Sequence, residues 1–149
     1  MTIYKYQIEY TKRPFMELRD CDTDSPFSPE ELMQIVKALG LCNCPREQVA
    51  VLMLNTRLKV IGVEIVSMGT ECATEVQPKF VYSCAIKHGA SGVILVHNHP
   101  SGDPTPSADD IKATERIMKG GKILGIKLVD HIIVADDKFV SLQQKGVIK

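Results

Sequence analysis

Apolar and polar positions follow two different periods along this chain, and the changes of period predict its elements. Apolar residues three and four apart predict three helices, which begin at Ser28, Pro78 and Ser107. Shorter runs, either alternating or wholly apolar, predict strands over 3–10, 48–55, 60–68, 92–96, 126–134 and 139–142. Strands interleaved with helices predict an α/β fold, in which a mixed β-sheet is flanked by helices.

The order of the elements predicts one compact unit with an extension. Residues 1–45 are expected to form an N-terminal extension, made of an edge strand, an irregular segment and one helix, packed on a core of residues 46–149. The alternating strand over 3–10 offers an edge through which two copies can pair, so a homodimer is one expectation.

Composition narrows the class of protein. The chain has 149 residues, and its 18 basic and 18 acidic side chains give no net charge, so charge does not favour binding to nucleic acid. No apolar run approaches the roughly 18 residues that span a bilayer, and no signal pattern is visible, so we expect a cytoplasmic protein. The five cysteines are irregularly spaced and are expected to be free thiols.

Two histidines follow the most apolar strand of the chain. His97 and His99 come directly after the run 92–96 and lie two positions apart, so on extended backbone their rings point to the same side. The carboxyl ends of such buried strands are where open α/β sheets bind ligands. Two imidazoles provide half of a tetrahedral zinc shell, and the stretch therefore predicts a metal site.

A carboxylate shortly after the histidines is the best third ligand. Ser107 at a helix start places Asp110 in the first turn, and taken alone this spacing is more simply a helix cap. The paired histidines upstream favour Asp110 as a ligand instead. Asp103 is a rival, but beside a glycine it is better explained as a turn residue.

Glu64 is the candidate base. It is the one ionisable residue between Val60 and Met68, and an ionised carboxylate buried in an apolar strand is costly unless a partner compensates it. A metal-activated water would be that partner, which makes Glu64 the general acid and base. The alternative is an edge strand in which Glu64 faces solvent. The Ser107 hydroxyl is the candidate oxyanion donor.

These residues together resemble a known motif. Glu64, His97, His99, Ser107 and Asp110 match the JAMM pattern of the JAB/MPN metalloprotease-like domain, with seven residues between the second histidine and the serine. The resemblance implies a cytidine-deaminase-like fold, Zn²⁺ held by the two histidines and Asp110, and hydrolysis of a peptide or isopeptide bond.

The narrower resemblance is to the RadC family, whose short sequence motifs recur at residues 97–103, 106–107, 130–134 and 141–142. Larger RadC proteins carry an N-terminal helix-hairpin-helix region, which residues 1–45 are too short to supply, so a short form is expected. The alternative to a peptidase is a non-proteolytic DNA-repair or mobile-element accessory protein. His131, within 130–134, is open between a structural role and a contact at the site.

Overall fold

One mixed sheet organises the part of the chain that the computed structural model describes, residues 28–68 and 76–149. The elements in chain order are α1 (Pro29–Ala38), β1 (Gln48–Leu54), β2 (Val60–Met68), α2 (Pro78–Lys87), β3 (Gly92–Asn98), α3 (Ala108–Leu124), β4 (Lys127–Ala135) and β5 (Lys138–Ser141). A 3₁₀ turn at Leu41–Asn43 follows α1. The strand expected over 3–10 lies outside the described residues.

The strands lie in the order β2-β1-β3-β4-β5, and only the β3–β4 pair is parallel. Strands β1 and β2 form an antiparallel hairpin, whereas β3 and β4 are joined by the crossover helix α3, as a parallel pair requires. The predicted α/β class with a mixed sheet is therefore confirmed. Within the described segments, no helix is long and apolar enough to cross a membrane.

Both faces of the sheet are buried, because β1 and β3 are apolar at nearly every position. One face packs against α2 and α3, through Val49, Val51, Met53, Val93, Leu95 and Ile133. The other packs against α1, through Ala50, Leu52, Leu54, Ile94, Val96 and Val134. Side chains alternate between these two faces along each strand, so every second residue of β3 points to the side of α3.

Helix α1 begins as its sequence predicts. The Ser28 hydroxyl accepts a hydrogen bond from the Glu31 amide at 3.2 Å, and the Glu31 carboxylate accepts one from the Ser28 amide at 2.8 Å. This reciprocal cap stabilises the first turn. Leu32, Ile35 and Val36 are buried and belong to the same apolar cluster as the sheet. The helix of the predicted extension thus packs on the core, while the division at residue 45 stays a prediction.

Helices α2 and α3 meet closely around Tyr82 and Gly121. Tyr82 is 2% exposed and donates a hydrogen bond to the Ile117 carbonyl at 2.8 Å. Burial raises the pKa of its hydroxyl to about 12. A Cβ atom added at Gly121 would collide with the Ile126 carbonyl and with the Tyr82 hydroxyl. Glycine is therefore required at position 121 because the backbone and Tyr82 fill the space of a side chain.

We expect Gly121→Ala to lower the free energy of unfolding by about 2 kcal/mol, because overpacking forces the backbone at Ile126 or the Tyr82 ring to move. Urea unfolding followed by circular dichroism measures the change. Gly120→Ala is the comparison and should cost less, since a Cβ there would make tight contacts at 3.3 Å with Pro78 and Tyr82 rather than collide with backbone. Equal effects of the two substitutions would show that the close approach at Gly121 is unimportant.

Candidate metal centre

The two histidines lie at the carboxyl end of β3, the edge where its parallel neighbour β4 also ends. His97 is inside the strand and only 3% exposed. His99 follows the strand directly, and its amide donates to the Val134 carbonyl at 2.8 Å, which keeps the backbone extended. The two rings meet edge to face, with centroids 4.9 Å apart. The predicted placement of both rings on one side is confirmed.

The ring of His99 is oriented by a backbone carbonyl. Its Nδ1 lies 2.9 Å from the Asp103 carbonyl oxygen, and because a carbonyl only accepts, Nδ1 carries the proton. In the neutral ring, Nε2 then presents a lone pair, and it faces Asp110 Oδ2 at 3.4 Å. A lone pair and a carboxylate oxygen repel each other at this distance unless a proton or a metal ion lies between them. Backbone support of this kind is typical of metal-ligating histidines.

Asp110 caps α3 and faces both histidines. Its Oδ2 accepts hydrogen bonds from the amide and the hydroxyl of Ser107, each at 2.7 Å. Its Oδ1 lies 3.2 Å from His97 Nδ1. Two ligands of a tetrahedral zinc ion, each about 2.0 to 2.1 Å from the metal, are separated by about 3.3 Å. The cap and the ligand interpretations are thus compatible, because the cap holds the carboxylate at ligand distance from both rings.

Asp110 is ionised in this arrangement. Burial acts to raise the pKa of its carboxyl, but the contact with His97 and the hydrogen bonds from Ser107 outweigh burial and hold the pKa well below its usual range. The site therefore presents a fixed negative charge next to two imidazoles. A cation is the ligand that such a set of donors attracts.

His97 has the unsatisfied ring that a metal site requires. Both of its nitrogens are buried, and neither makes a hydrogen bond to any described residue. Leaving buried polar atoms without partners costs about 1 to 3 kcal/mol for each group. A bound cation between His97 and its acidic neighbours would remove that cost at one nitrogen. The donor set, its spacing and these orphan atoms all fit a metal ion.

A second carboxylate, Glu47, stands at the centre and was not anticipated from the sequence. Its Oε2 lies 3.7 Å from His97 Nε2, and ligand atoms of Glu47, His97 and His99 all fall within 4.8 Å of one another. The side chain is 39% exposed, so solvent can reach it. Glu47 directly precedes β1, whose Val49 is the ladder partner of His97. That adjacency comes from strand pairing, which local periodicity does not reveal.

Asn98, between the two histidines, holds the backbone on both sides of Glu47. Its Oδ1 accepts from the Gln48 amide at 2.6 Å, and its Nδ2 donates to the Arg46 carbonyl at 3.1 Å. Asn98 is 3% exposed, so these bonds are shielded from water. The asparagine therefore fixes the segment that delivers Glu47 to His97.

Glu64 lies on the same face of the sheet as His97, with β1 between them, because Val51 of β1 pairs with Glu64 and Val49 with His97. It is exposed on β2, at the edge of the described sheet, where it pairs with Val51. Burial raises the pKa of Cys84 to about 11, and the negative charge of Glu64 is the second cause. The electrostatic effect of Glu64 therefore reaches α2, the helix that carries Cys84. The burial cost that made Glu64 the candidate base is therefore absent, because an exposed carboxylate needs no partner. Its role as general acid and base stays a prediction, as an alternative to Glu47.

The hydroxyl of Ser107 is already engaged. It accepts from the Asp110 amide at 3.1 Å and points its single hydrogen at Asp110 Oδ2. A hydroxyl has one proton to donate, so it must rotate away from Asp110 before it can stabilise an oxyanion. The oxyanion role of Ser107 stays a prediction, whereas its part in fixing Asp110 is visible.

His131 lies behind the centre on β4. Its ring is nearly parallel to that of His97, with centroids 6.1 Å apart, and its Nδ1 lies 2.7 Å from the Thr114 hydroxyl oxygen. The residue is 1% exposed. Burial, and then the charge of His97, lower the pKa of His131 to about 3, so the ring is neutral at physiological pH.

Known proteins resemble the chain over most of its length. A family model described as the RadC-like JAB domain matches residues 27–147. A UPF0758 protein of Caldanaerobacter subterraneus is 43% identical over 119 residues, which cover 80% of this chain and 51% of that protein. One from Desulforamulus reducens is 45% identical over 120 residues, 80% of this chain and 52% of that protein. One from Clostridium kluyveri is 39% identical over 140 residues, 94% of this chain and 60% of that protein. The chain spans about half the length of the curated relatives it matches.

The buried neutral state of His131 predicts an acid-sensitive fold. The folded pKa of about 3 lies below the unfolded value near 6.5, so stability is complete above pH 6.5 and is lost as the pH falls toward 3. Between pH 7.5 and 5.0 this residue should remove about 2 kcal/mol from the free energy of unfolding.

Urea unfolding of metal-free protein in chelator at the two pH values measures this loss. In His131→Asn the titrating group is gone, so the loss over the same interval should be smaller by about that amount. An identical pH dependence in the two proteins would show that His131 titrates normally in the folded state.

Proposed function

We propose that this chain, which belongs to the RadC-like JAB domain family, is a zinc-dependent hydrolase of the JAMM type that cleaves peptide or isopeptide bonds. One observation carries the proposal. One oxygen of the ionised Asp110 carboxylate lies 3.2 Å from His97 and the other 3.4 Å from His99, and the partly exposed carboxylate of Glu47 lies beside them at the end of β3. A purely structural metal site would be closed by protein ligands and would not need a solvent-accessible acid.

His97, His99 and Asp110 would hold the ion. Imidazole nitrogens favour zinc and other transition metals over magnesium or calcium, which prefer oxygen ligands. A zinc ion bound by three protein ligands supplies Lewis-acid chemistry, acidifying water and polarising a carbonyl group. The residues contribute the geometry, since the Asp103 carbonyl orients His99 and Ser107 orients Asp110.

Glu47 is the residue that would move the proton. In amide hydrolysis a C–O bond forms from water and the C–N bond breaks, so one proton must leave the water and reach the leaving nitrogen. Glu47 Oε2, exposed to solvent and 3.7 Å from His97 Nε2, is placed to accept that proton and return it. Glu64 is the alternative candidate for the general acid and base, and its support is the resemblance to the JAMM motif.

The substrate is proposed only as a class. A peptide or protein with an amide bond fits the chemistry, and the loops around the site would select among them. The family alternative, a DNA-repair or mobile-element accessory protein, would use the same fold without hydrolysis. Affinity for duplex DNA that falls steeply with salt would support that alternative, although the chain has no net charge to favour it.

Metal analysis tests the centre first. We expect purified protein to retain about one zinc ion per chain, because the Asp110 carboxylate faces both imidazoles. His97→Ala and Asp110→Ala should lose the metal while keeping the circular dichroism spectrum of the fold. His88→Ala is the control, since that histidine caps α2, away from the centre. Full zinc content in Asp110→Ala would exclude the proposed ligand set.

Two glutamine substitutions decide between the candidate bases. Glu47→Gln should reduce turnover of a panel of fluorogenic peptide and isopeptide substrates by about 100-fold or more, because the amide cannot take a proton. Glu64→Gln serves as the matched change on the exposed strand and should leave turnover within about twofold. The reverse result would restore Glu64 as the base. Zinc-loaded wild type that cleaves nothing in the panel, yet binds DNA, would favour the accessory role.

A further inference from the structure

We propose that Thr114 and His131 act as a positioning pair that fixes the start of α3, and with it the Asp110 carboxylate, against His97. The inference rests on the proposed metal centre but concerns residues outside its ligand set. His131 is not a member of the group of ligand atoms formed by Glu47, His97 and His99. The pair acts through the backbone of Asp110 and through packing behind His97.

The direction of the hydrogen bonds follows from the distances. Thr114 Oγ1 lies 2.6 Å from the Asp110 carbonyl oxygen, and two oxygens this close require a hydrogen between them. The carbonyl has none, so the Thr114 hydroxyl donates to it. With its one proton used, Thr114 can only accept from His131 Nδ1 at 2.7 Å. His131 is therefore protonated at Nδ1, and the order is His131 to Thr114 to the Asp110 carbonyl.

This pair joins the elements that build the centre. His131 is on β4, and its ladder neighbour on β3 is Leu95, two positions before His97. Thr114 is one helical turn after Asp110 on α3. Both are fully buried, with exposures of 0% for Thr114 and 1% for His131, so their bonds do not compete with water. Tying the first turn of α3 to β4 sets the distance between Asp110 and the strand that carries the histidines.

The presence of two polar side chains, Thr114 and His131, at fully buried positions calls for an explanation. A threonine and a histidine in a wholly buried position could be replaced by apolar residues of similar size if only packing mattered. His131 Nε2 has no hydrogen-bond partner among the described residues, which makes the ring a costly choice for a structural core. The Nδ1 bond to Thr114 is the interaction that the structure shows this ring making.

Conservative variants distinguish the hydrogen bonds of Thr114 and His131 from the packing of their side chains. Thr114→Val keeps the shape but removes the hydroxyl, whereas Thr114→Ser keeps the hydroxyl. An asparagine at 131 can place an N–H donor near Nδ1, while a glutamine places its amide near Nε2. We expect Thr114→Val and His131→Gln to weaken Zn²⁺ binding by about 10- to 100-fold, and Thr114→Ser and His131→Asn to stay within about threefold of wild type.

The measurement is the dissociation constant for Zn²⁺, from competition with a chromophoric chelator, together with the visible spectrum of the Co²⁺ form. Loss of affinity with an altered Co²⁺ spectrum in Thr114→Val and His131→Gln would support the pair as positioning residues. Melting of the metal-free variants gives the fold control, and only variants folded at the titration temperature are compared.

Three results would overturn the inference. Zn²⁺ binding by Thr114→Val equal to that of wild type would show that the Thr114 hydroxyl does not position the site. Tighter binding by His131→Gln than by His131→Asn would assign the role to Nε2. Equal loss of affinity in all four variants would assign it to packing. If wild type itself binds no Zn²⁺, the proposed function fails, and that result is distinct from these three.

Discussion

The contact between Asp110 and the two histidines is the interaction on which the site depends. One carboxylate oxygen faces His97 at 3.2 Å, and the other faces His99 at 3.4 Å while accepting both Ser107 donors. Because Asp110 is the third residue of α3, its position is set by the helix cap as well as by the site. The start of the crossover helix and the end of β3 are thereby held together. The same residue thus serves the fold and the chemistry, and the two explanations of its spacing in the sequence are not rivals.

The surroundings of the two candidate carboxylates, Glu64 and Glu47, could not be read from local sequence. The sequence pattern left Glu64 either buried in an apolar strand or facing solvent from an edge strand, and the argument for its role rested on the cost of burying a charge. In the described sheet β2 is an edge strand, so the apolar residues around Glu64 are themselves partly open, with Ile61 at 47% and Ile65 at 37% exposure. Glu47 shows the opposite case. It lies in a charged, loop-like stretch with no local motif that predicts a functional residue. Strand pairing nevertheless brings it to the buried ring of His97.

The elements were predictable because their signals are local. The cap at Ser28, the two apolar strands and the cap at Ser107 are each encoded within a few residues, and the structure reproduces them. The approach of His97 and His99 to Asp110 was predictable for the same reason, since the three residues lie within one short stretch. Glu47, Thr114 and the support from Asn98 were not, because each depends on a contact between segments distant in sequence. Edge or interior position of a strand is likewise a property of the whole sheet, which is why the sequence left the environment of Glu64 open.

The tripeptide from His97 to His99 builds the site from both sides of β3. Side chains alternate across the strand, so His97 points to the face of α3, while Asn98 points to the face on which α1 packs. From that second face Asn98 binds the backbone at Arg46 and Gln48, the two neighbours of Glu47. The strand therefore presents His97 to the candidate metal centre on one side and holds the backbone around Glu47 from the other. These two hydrogen bonds are the link through which β3 holds the segment that carries Glu47.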